Sequence, residues 1–244
     1  MIQESRDLFL TGKYHKRFEA NHIHFLRNVQ LRASYQTSSS LIHTLGWPHP
    51  LLKQAPQILL CGTASPYTTI VFTRFVRKHN LEAHIDALDL SPYPLDQSKR
   101  LCATCPDIDL ARVSFVEGDA LQMPFPDQHF DWIETDFFIQ FFSAAEKVAL
   151  FKEWYRVLKP GGIITTRDWL QRKQGFTERV VNQVKNWLVL HTLGPVVYTA
   201  SVQEIEDILR APGFEVTLLP ATMPIIKRKL PLMHHIFIYK PVRE

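Results

Sequence analysis

Two stretches of this chain combine residue types and spacing that could do chemistry. In the first, Ile58-Leu59-Leu60-Cys61-Gly62-Thr63-Ala64-Ser65-Pro66 has the shape of a nucleotide-binding turn, an apolar strand running through small residues into a helix. Only one glycine stands in it. Ser65 and Pro66 make a good helix start, as N-cap and first helical residue. Ala64 adds a methyl group, tolerable at negative φ and costly where the turn needs positive φ. In the second, Asp89 closes the apolar run Ile85-Asp86-Ala87-Leu88. A carboxylate there accepts two hydrogen bonds from a ribose diol, as in dinucleotide sites. Because Ser91-Pro92 follows, Asp89 also reads as a helix-start carboxylate, with Asp86 as the fallback ribose partner.

Those residues need strand tips beneath them, and the hydrophobic pattern supplies strands. Strands are expected over Gln57–Cys61, His84–Asp89, Val113–Glu117, Phe130–Thr135 and Gly161–Asp168. Helices are expected over Tyr67–His79, Leu95–Cys105 and Ala144–Leu158. Such alternation gives a parallel sheet covered on both faces. Ligands of an open α/β sheet collect beyond the carboxyl ends of its strands, where the strand order reverses. Gly62, Asp89, Asp119 and Thr135 end four of these strands and would line a single crevice.

The tail breaks the alternation. A helix over Val202–Leu209 leads through Pro212-Gly213 to strands at Phe214–Leu219 and His234–Tyr239, an antiparallel hairpin added to the parallel sheet. Residues 1–50 read as a helical extension or lid, bounded by Trp47-Pro48-His49-Pro50, with the α/β domain over 51–244. Lys173–Leu193 reads as an inserted helical element, a second lid within 170–200.

Composition excludes several classes. The 244 residues are 45 % hydrophobic and 21 % charged, with a net charge of +4, which is globular and far from a nucleic-acid signature. Lys227-Arg228-Lys229 reads as a solvated hairpin loop. Three cysteines suit a reducing compartment, and Cys102-Ala103-Thr104-Cys105 has no second Cys/His pair to make a metal site. No apolar run approaches the ~20 residues of a membrane span, and the polar N-terminus is no signal peptide. A cytoplasmic location is the expectation.

Two longer motifs then make the chain recognisable. Glu153-Trp154-Tyr155-Arg156-Val157-Leu158-Lys159-Pro160-Gly161-Gly162 is one. Gly118-Asp119-Ala120-Leu121-Gln122-Met123-Pro124-Phe125, followed by Phe130-Asp131-Trp132-Ile133, is the other. Over roughly residues 55–240 the sequence resembles the class I S-adenosylmethionine-dependent methyltransferases, in particular the small type 11 group. The resemblance implies a doubly wound, mostly parallel seven-stranded Rossmann-like sheet with an antiparallel C-terminal strand. It also implies S-adenosyl-L-methionine as cofactor and no metal. The cofactor would be held by Cys61, Gly62, Thr63, Ala64 and Ser65, by Asp89 and Leu90, by Asp119, Ala120 and Leu121, and by Thr135. Asp119 would meet the adenine amino group; the alternative is an Asp capping its own turn. Leu60 stands where the family carries an acid that helps hold the cofactor's ammonium group. Thr63 and Thr135 hydroxyls and the Gly62 carbonyl are the substitute acceptors.

Methyl transfer from a sulfonium asks the protein to align groups, exclude water and, for some acceptors, remove a proton. The acceptor is expected past strand four, among Thr135-Asp136-Phe137-Phe138-Ile139-Gln140-Phe141-Phe142, an aromatic run with few polar members. Some of these phenylalanines could instead be core. Asp136 and His15 are the candidate catalytic groups, while Tyr14, Phe137, Gln140, Arg167 and Trp169 are the candidate acceptor contacts. His22 and His24 share the N-terminal segment with His15. The expected reaction is methyl transfer to an O, N or C nucleophile of a small molecule. The alternative is a member of the fold that binds a ligand without transferring a methyl group. A nicotinamide-dependent oxidoreductase shares the strand–turn–helix logic but needs further glycines and lacks the terminal hairpin.

Overall fold

A computed structural model describes residues 2–19, 24–63, 65–171, 198, 200–223 and 228–242. Helices α1 (Ile2–Leu10), α2 (Lys13–Glu19) and α3 (His24–Thr44) precede β1 (Gln57–Cys61). Then follow α4 (Pro66–His79), β2 (His84–Asp89), α5 (Pro92–Ala103), β3 (Val113–Glu117), β4 (Phe130–Glu134), α6 (Ala144–Val157) and β5 (Leu158–Gln171). After β6 (Ala200–Ser201), α7 (Val202–Arg210) leads to β7 (Glu215–Met223) and β8 (Arg228–Tyr239). Ala64, His22, Lys227 and the inserted element expected over Lys173–Leu193 lie outside the described residues.

The sheet order is β3-β2-β1-β4-β5-β8-β7, with the two-residue β6 pairing β5 off this path, eight strands where seven were expected. All pairings from β3 to β5 are parallel, and β8 joins both β5 and β7 antiparallel. The chain reverses direction across the sheet between β1 and β4, so the switch point falls at Gly62 and Thr135.

Period-two alternation decides what each strand buries. Leu59 and Cys61 enter one apolar core with Ile133, Phe151 and Trp154. Ile58 and Leu60 enter the other, with Phe72, Trp132, Leu31 and Tyr35. Leu60 is therefore a core residue beneath α3 and α4. Helix α3 is part of that layer, its Tyr35 ring lying 5.2 Å from Phe72 edge-on.

Helix starts follow local capping rules. Ser65 and Ser91 each accept a hydrogen bond from the backbone N–H two residues on, and each is followed by proline at the first helical position. This starts α5 at Pro92, three residues before the hydrophobic pattern does. Ser143 and Glu146 form a reciprocal capping box on α6. Strand β5 begins at Leu158, earlier than expected. Gly161, at φ +75°, donates its N–H to the Lys240 carbonyl at 2.8 Å, and the register of β4 on β5 shifts between Phe130 and Trp132. The Lys-Pro-Gly-Gly turn is thus absorbed as a bulge inside the strand.

Candidate active site at the strand tips

A cavity of about 320 Å³ opens over the carboxyl ends of β1 to β4. Its floor is Cys61, Gly62, Asp89, Leu90, Asp119 and Leu121, with Ala120 beside them. Helices α1 and α2 close one side with Arg6, Phe9, Tyr14 and His15. The segment after β4 closes the other with Asp136, Phe137, Phe138, Gln140, Phe141 and Phe142. Trp169, Glu146 and Tyr198 complete the rim.

Asp89 is 8 % exposed and tightly held. Its Oδ2 accepts from the Thr63 backbone N–H at 2.9 Å and the Thr63 hydroxyl at 3.1 Å, while Oδ1 accepts from the Ser91 N–H at 3.0 Å. The buried His15 places Nε2 3.8 Å from Oδ1. Asp89 is thus the helix-start carboxylate before α5, and it lines the cavity where a ribose contact is expected. Asp119 shows the same duality. Its Oδ1 accepts from the Leu121 N–H at 3.0 Å in a local turn, and its Oδ2 pairs with Arg6 from α1.

The aromatic wall is set by a buried ion pair. Arg167 grips both oxygens of Asp136, Nε–Oδ1 at 2.8 Å and Nη2–Oδ2 at 3.0 Å, each side chain 6 % exposed. Phe137 sits at φ +53°, and its N–H donates to the Arg167 carbonyl at 2.8 Å. The guanidinium lies 5.4 Å from the Phe137 ring centroid. A left-handed phenylalanine costs on the order of 1 kcal/mol or more and persists because this clamp over-determines it. Phe138 then stands over Gly62: a methyl group built on that glycine would come within 2.5 Å of the ring. Gly62 itself has φ +78°. A side chain at this position is excluded by conformation and by space.

Several expected contacts fall elsewhere. Arg167 does not reach the cavity, because it is buried against Asp136. Thr63 and Ser65 face inward, engaged as donor to Asp89 and cap of α4. Thr135 is 1 % exposed and outside the cavity wall. Asp136 lines the cavity, but with both oxygens held it orients the loop. Phe138, Phe141 and Phe142 belong to the aromatic run expected past strand four, whereas Arg6, Phe9 and Tyr198 are wall residues that residue spacing did not single out. His24 lies in α3, and nothing further is described of it.

An acid does stand beside Leu60: Glu134 of β4 pairs with it in register. Burial pushes the Glu134 carboxyl well above the ordinary range, and it shares a hydrogen bond with the Thr165 hydroxyl, which also accepts from the Trp132 indole at 2.6 Å. By alternation it faces the α3–α4 layer with Trp132 and does not reach the cavity.

Asp168 braces the same wall from beneath. It accepts from the N–H groups of Trp169 at 2.9 Å and Gln140 at 3.2 Å, yet complete burial pushes its carboxyl up to about 7. A folded-state value above the unfolded one means stability fully present below about pH 4 and lost as pH rises through 7. Asp168→Asn removes that loss. Melting curves are expected to show the variant gaining on wild type more at pH 8 than at pH 5, with a pH-independent difference as the contrary result.

The second recognisable motif supplies Asp119, Ala120 and Leu121 to the cavity floor, while other residues of the two motifs do structural work outside it. Arg156 donates to Glu153 and Asp127 and to the carbonyls of Met123 and Phe125, while Glu153 accepts from the Met123 N–H at 2.7 Å. This ties α6 to the turn that begins at Asp119. Asp131 accepts from Lys53 at 2.8 Å, Lys159 at 2.7 Å and the Gln57 N–H at 3.0 Å, at the opposite end of the sheet. Arg156→Ala leaves two backbone carbonyls without their donors, and a loss of about 1–3 kcal/mol is expected in urea unfolding. Arg156→Lys keeps the charge but not the planar fork, and is expected to recover less than half of it.

Cys102 and Cys105 are free thiols, and no cluster of metal-binding side chains occurs among the described residues. No described helix is long and apolar enough to cross a membrane.

With this geometry in view, the relatives are informative. Residues 61–162 match the model of a methyltransferase domain. A sterol 24-C-methyltransferase of Aspergillus fumigatus is 31 % identical over 151 residues, 60 % of this chain and 36 % of that protein. A demethylmenaquinone methyltransferase of Listeria monocytogenes is 32 % identical over 90 residues, 37 % of this chain and 36 % of the relative. The matched stretch thus spans little more than a third of each of these relatives. Among solved structures, a proposed sarcosine dimethylglycine methyltransferase from Galdieria sulphuraria superposes with a TM-score of 0.67 over 88 % of each chain, at 15 % identity. Residues 61–162 thus match a methyltransferase domain, within a Rossmann-like sheet that ends in antiparallel C-terminal strands.

Proposed function

We propose that the protein transfers a methyl group from S-adenosyl-L-methionine to an O, N or C nucleophile of a small, largely apolar molecule. The observation that carries this is the cavity over four strand tips, with Asp89 and Asp119 on its floor and an aromatic wall opposite. The wall residues fit the nucleoside half of the cofactor. Asp89 places a carboxylate, the acceptor type that suits a ribose diol, in the cavity wall, and Leu90, Ala120 and Leu121 offer apolar faces to the base beside Asp119. When bound, the cofactor supplies a methyl group on a sulfonium, an electrophile that needs no metal.

The chain's own residues supply position and dryness. The Arg167–Asp136 clamp fixes Phe137 and Phe138, and Phe9, Tyr14 and Phe141 stack edge-on to close the mouth, with Phe9–Phe141 centroids at 5.2 Å and Tyr14–Phe141 at 5.8 Å. Gln140, with its amide nitrogen on the Phe137 carbonyl at 3.0 Å, presents its remaining polar capacity to the acceptor. His15 is the titratable ring facing the cavity, and it takes the acceptor's proton where one must leave. The names of the sterol and demethylmenaquinone methyltransferases fit an apolar acceptor, as does the wall.

Label transfer from methyl-tritiated S-adenosyl-L-methionine tests this reading across quinols, sterols and polar amines. Transfer to an apolar acceptor that falls at least tenfold in His15→Ala, for a hydroxyl substrate, is the expected result. The second reading, a ligand-binding member without methyl transfer, is favoured by the Phe138 ring over Gly62. Bound cofactor with no label transfer to any acceptor supports it instead.

A further inference from the structure

Helix α1 meets the strand tips through a charged side chain. Arg6 and Phe9 stand three positions apart, on one face of the helix, and both enter the cavity wall. Packing holds the helix in place. The Phe9 ring lies edge-on to Phe141, with centroids 5.2 Å apart, and to Tyr14, at 4.9 Å. The turn into α2 sits so close to the start of α5 that a methyl group built on Gly12, at φ +66°, would come within 2.9 Å of the Tyr93 side chain. From this anchored helix Arg6 extends to the tip of β3 and donates from Nη2 to Asp119 Oδ2.

The pair keeps hydrogen-bonding groups for a third party. Asp119 takes the Leu121 N–H on Oδ1 at 3.0 Å and Arg6 on Oδ2, on a carboxylate with about four lone-pair sites. Among the described residues Arg6 is engaged through Nη2 alone, so the Nε and Nη1 donors of its fork are unspent. The Arg6 side chain is 37 % exposed and that of Asp119 28 %, so neither head group is sealed off from what enters the cavity. An acceptor and a set of donors thus stand side by side, next to the apolar faces of Leu90 and Leu121.

A 6-aminopurine has the matching edge. Its amino group donates, and the ring nitrogens on either side of that group, N1 and N7, accept. A carboxylate alone meets only the amino group. A carboxylate with a guanidinium beside it meets the amino group and a neighbouring ring nitrogen together. A charge-assisted hydrogen bond of this kind is worth about tenfold or more in affinity.

We infer that Arg6 is a base-binding residue of this site, donating to the purine ring nitrogen beside the amino group that Asp119 accepts. The inference rests on the proposed cofactor reading. It makes α1 part of the cofactor site, so that the base is gripped from two distant parts of the chain. A ligand without that ring nitrogen loses the contribution of α1 and keeps that of the β3 tip.

The test is a cycle of ligand against variant, read by calorimetric titration of the full chain. The ligands are S-adenosyl-L-homocysteine and its 1-deaza and 7-deaza forms, in which a carbon replaces one ring nitrogen. Wild type is expected to bind one of the two deaza forms about tenfold more weakly than the parent. Arg6→Met is expected to bind the parent about tenfold more weakly than wild type does, and no longer to distinguish it from that form. Arg6→Gln repeats the measurement with a polar side chain, should methionine disturb α1. A loss by the same factor for the parent and both deaza forms overturns the inference, because Arg6 is then only a tether of the helix. Equal affinity of wild type for all three ligands overturns it too, as does binding that is unchanged or tighter in Arg6→Met. Each of these leaves the cofactor reading standing. Binding of none of the three ligands to wild type overturns the inference together with that reading.

Discussion

Asp89→Ala is expected to reduce binding of S-adenosyl-L-homocysteine by at least a hundredfold and to lower stability by about 3 kcal/mol. Three donors lose their acceptor at once: the Thr63 N–H, the Thr63 hydroxyl and the Ser91 N–H. Each is buried, and a buried donor left unpaired costs about 1–3 kcal/mol, part of it recovered where water or a rotated hydroxyl finds a substitute. The binding loss has two sources, the missing acceptor for the ribose and a Gly62–Thr63 turn no longer held against the tip of β2. Asp89→Asn separates them only in part. Its amide retains one acceptor oxygen but turns an NH₂ donor toward either Thr63 or Ser91, so it too is expected to bind at least tenfold more weakly. Calorimetry and thermal melting on the same samples measure both effects. A variant that melts lower yet binds within threefold of wild type would show that Asp89 is a structural cap alone.

Arg167→Met is expected to be the most destabilising single substitution near the site, by about 3–5 kcal/mol, because it strands the Asp136 carboxylate in a buried position. For a chain of this length that corresponds to a melting temperature lower by roughly 10 °C. Asp136→Leu alone strands the guanidinium, with a similar loss. The double variant removes both charges, and at least half of the loss is expected to return, since a buried pair is often replaced by apolar residues at little net cost. The functional effect does not return with it. Phe137 holds its left-handed backbone through the Arg167 strand and faces its guanidinium, and Phe138 follows it over Gly62. With the clamp gone the wall loosens, so near-UV circular dichroism and ligand affinity are expected to change in the double variant even where its melting temperature recovers. Additive losses across the cycle would mean that the two side chains do not act as a pair.

What could be read from the sequence were the features governed by local rules. Ser65-Pro66 and Ser91-Pro92 cap helices because side-chain oxygens two residues from an N–H always can, and β1 to β4 follow from short apolar runs between turn residues. Asp89 and Asp119 were placed by standing at strand tips. What could not be read joins residues far apart in the chain. Arg6 meets Asp119 across 113 positions, and Arg167 meets Asp136 across 31; no spacing announces either. Arg167 was expected in the crevice because it lies at the end of a strand, but the pairing with Asp136 turns it under the wall. Strand alternation puts Leu60 in the core with Phe72 and Trp132, packing that the run Ile58–Cys61 alone does not assign. The motifs that made the chain recognisable, around Arg156 and Asp131, are clamps that hold the turn and the far edge of the sheet.

The most direct test of the account is titration of the intact chain with S-adenosyl-L-methionine by calorimetry, at constant pH and with folding checked by circular dichroism. A single site that saturates at one ligand per chain, and is lost in Asp89→Ala, is the predicted result. An intact fold giving no binding heat up to millimolar cofactor, at two temperatures, would contradict it.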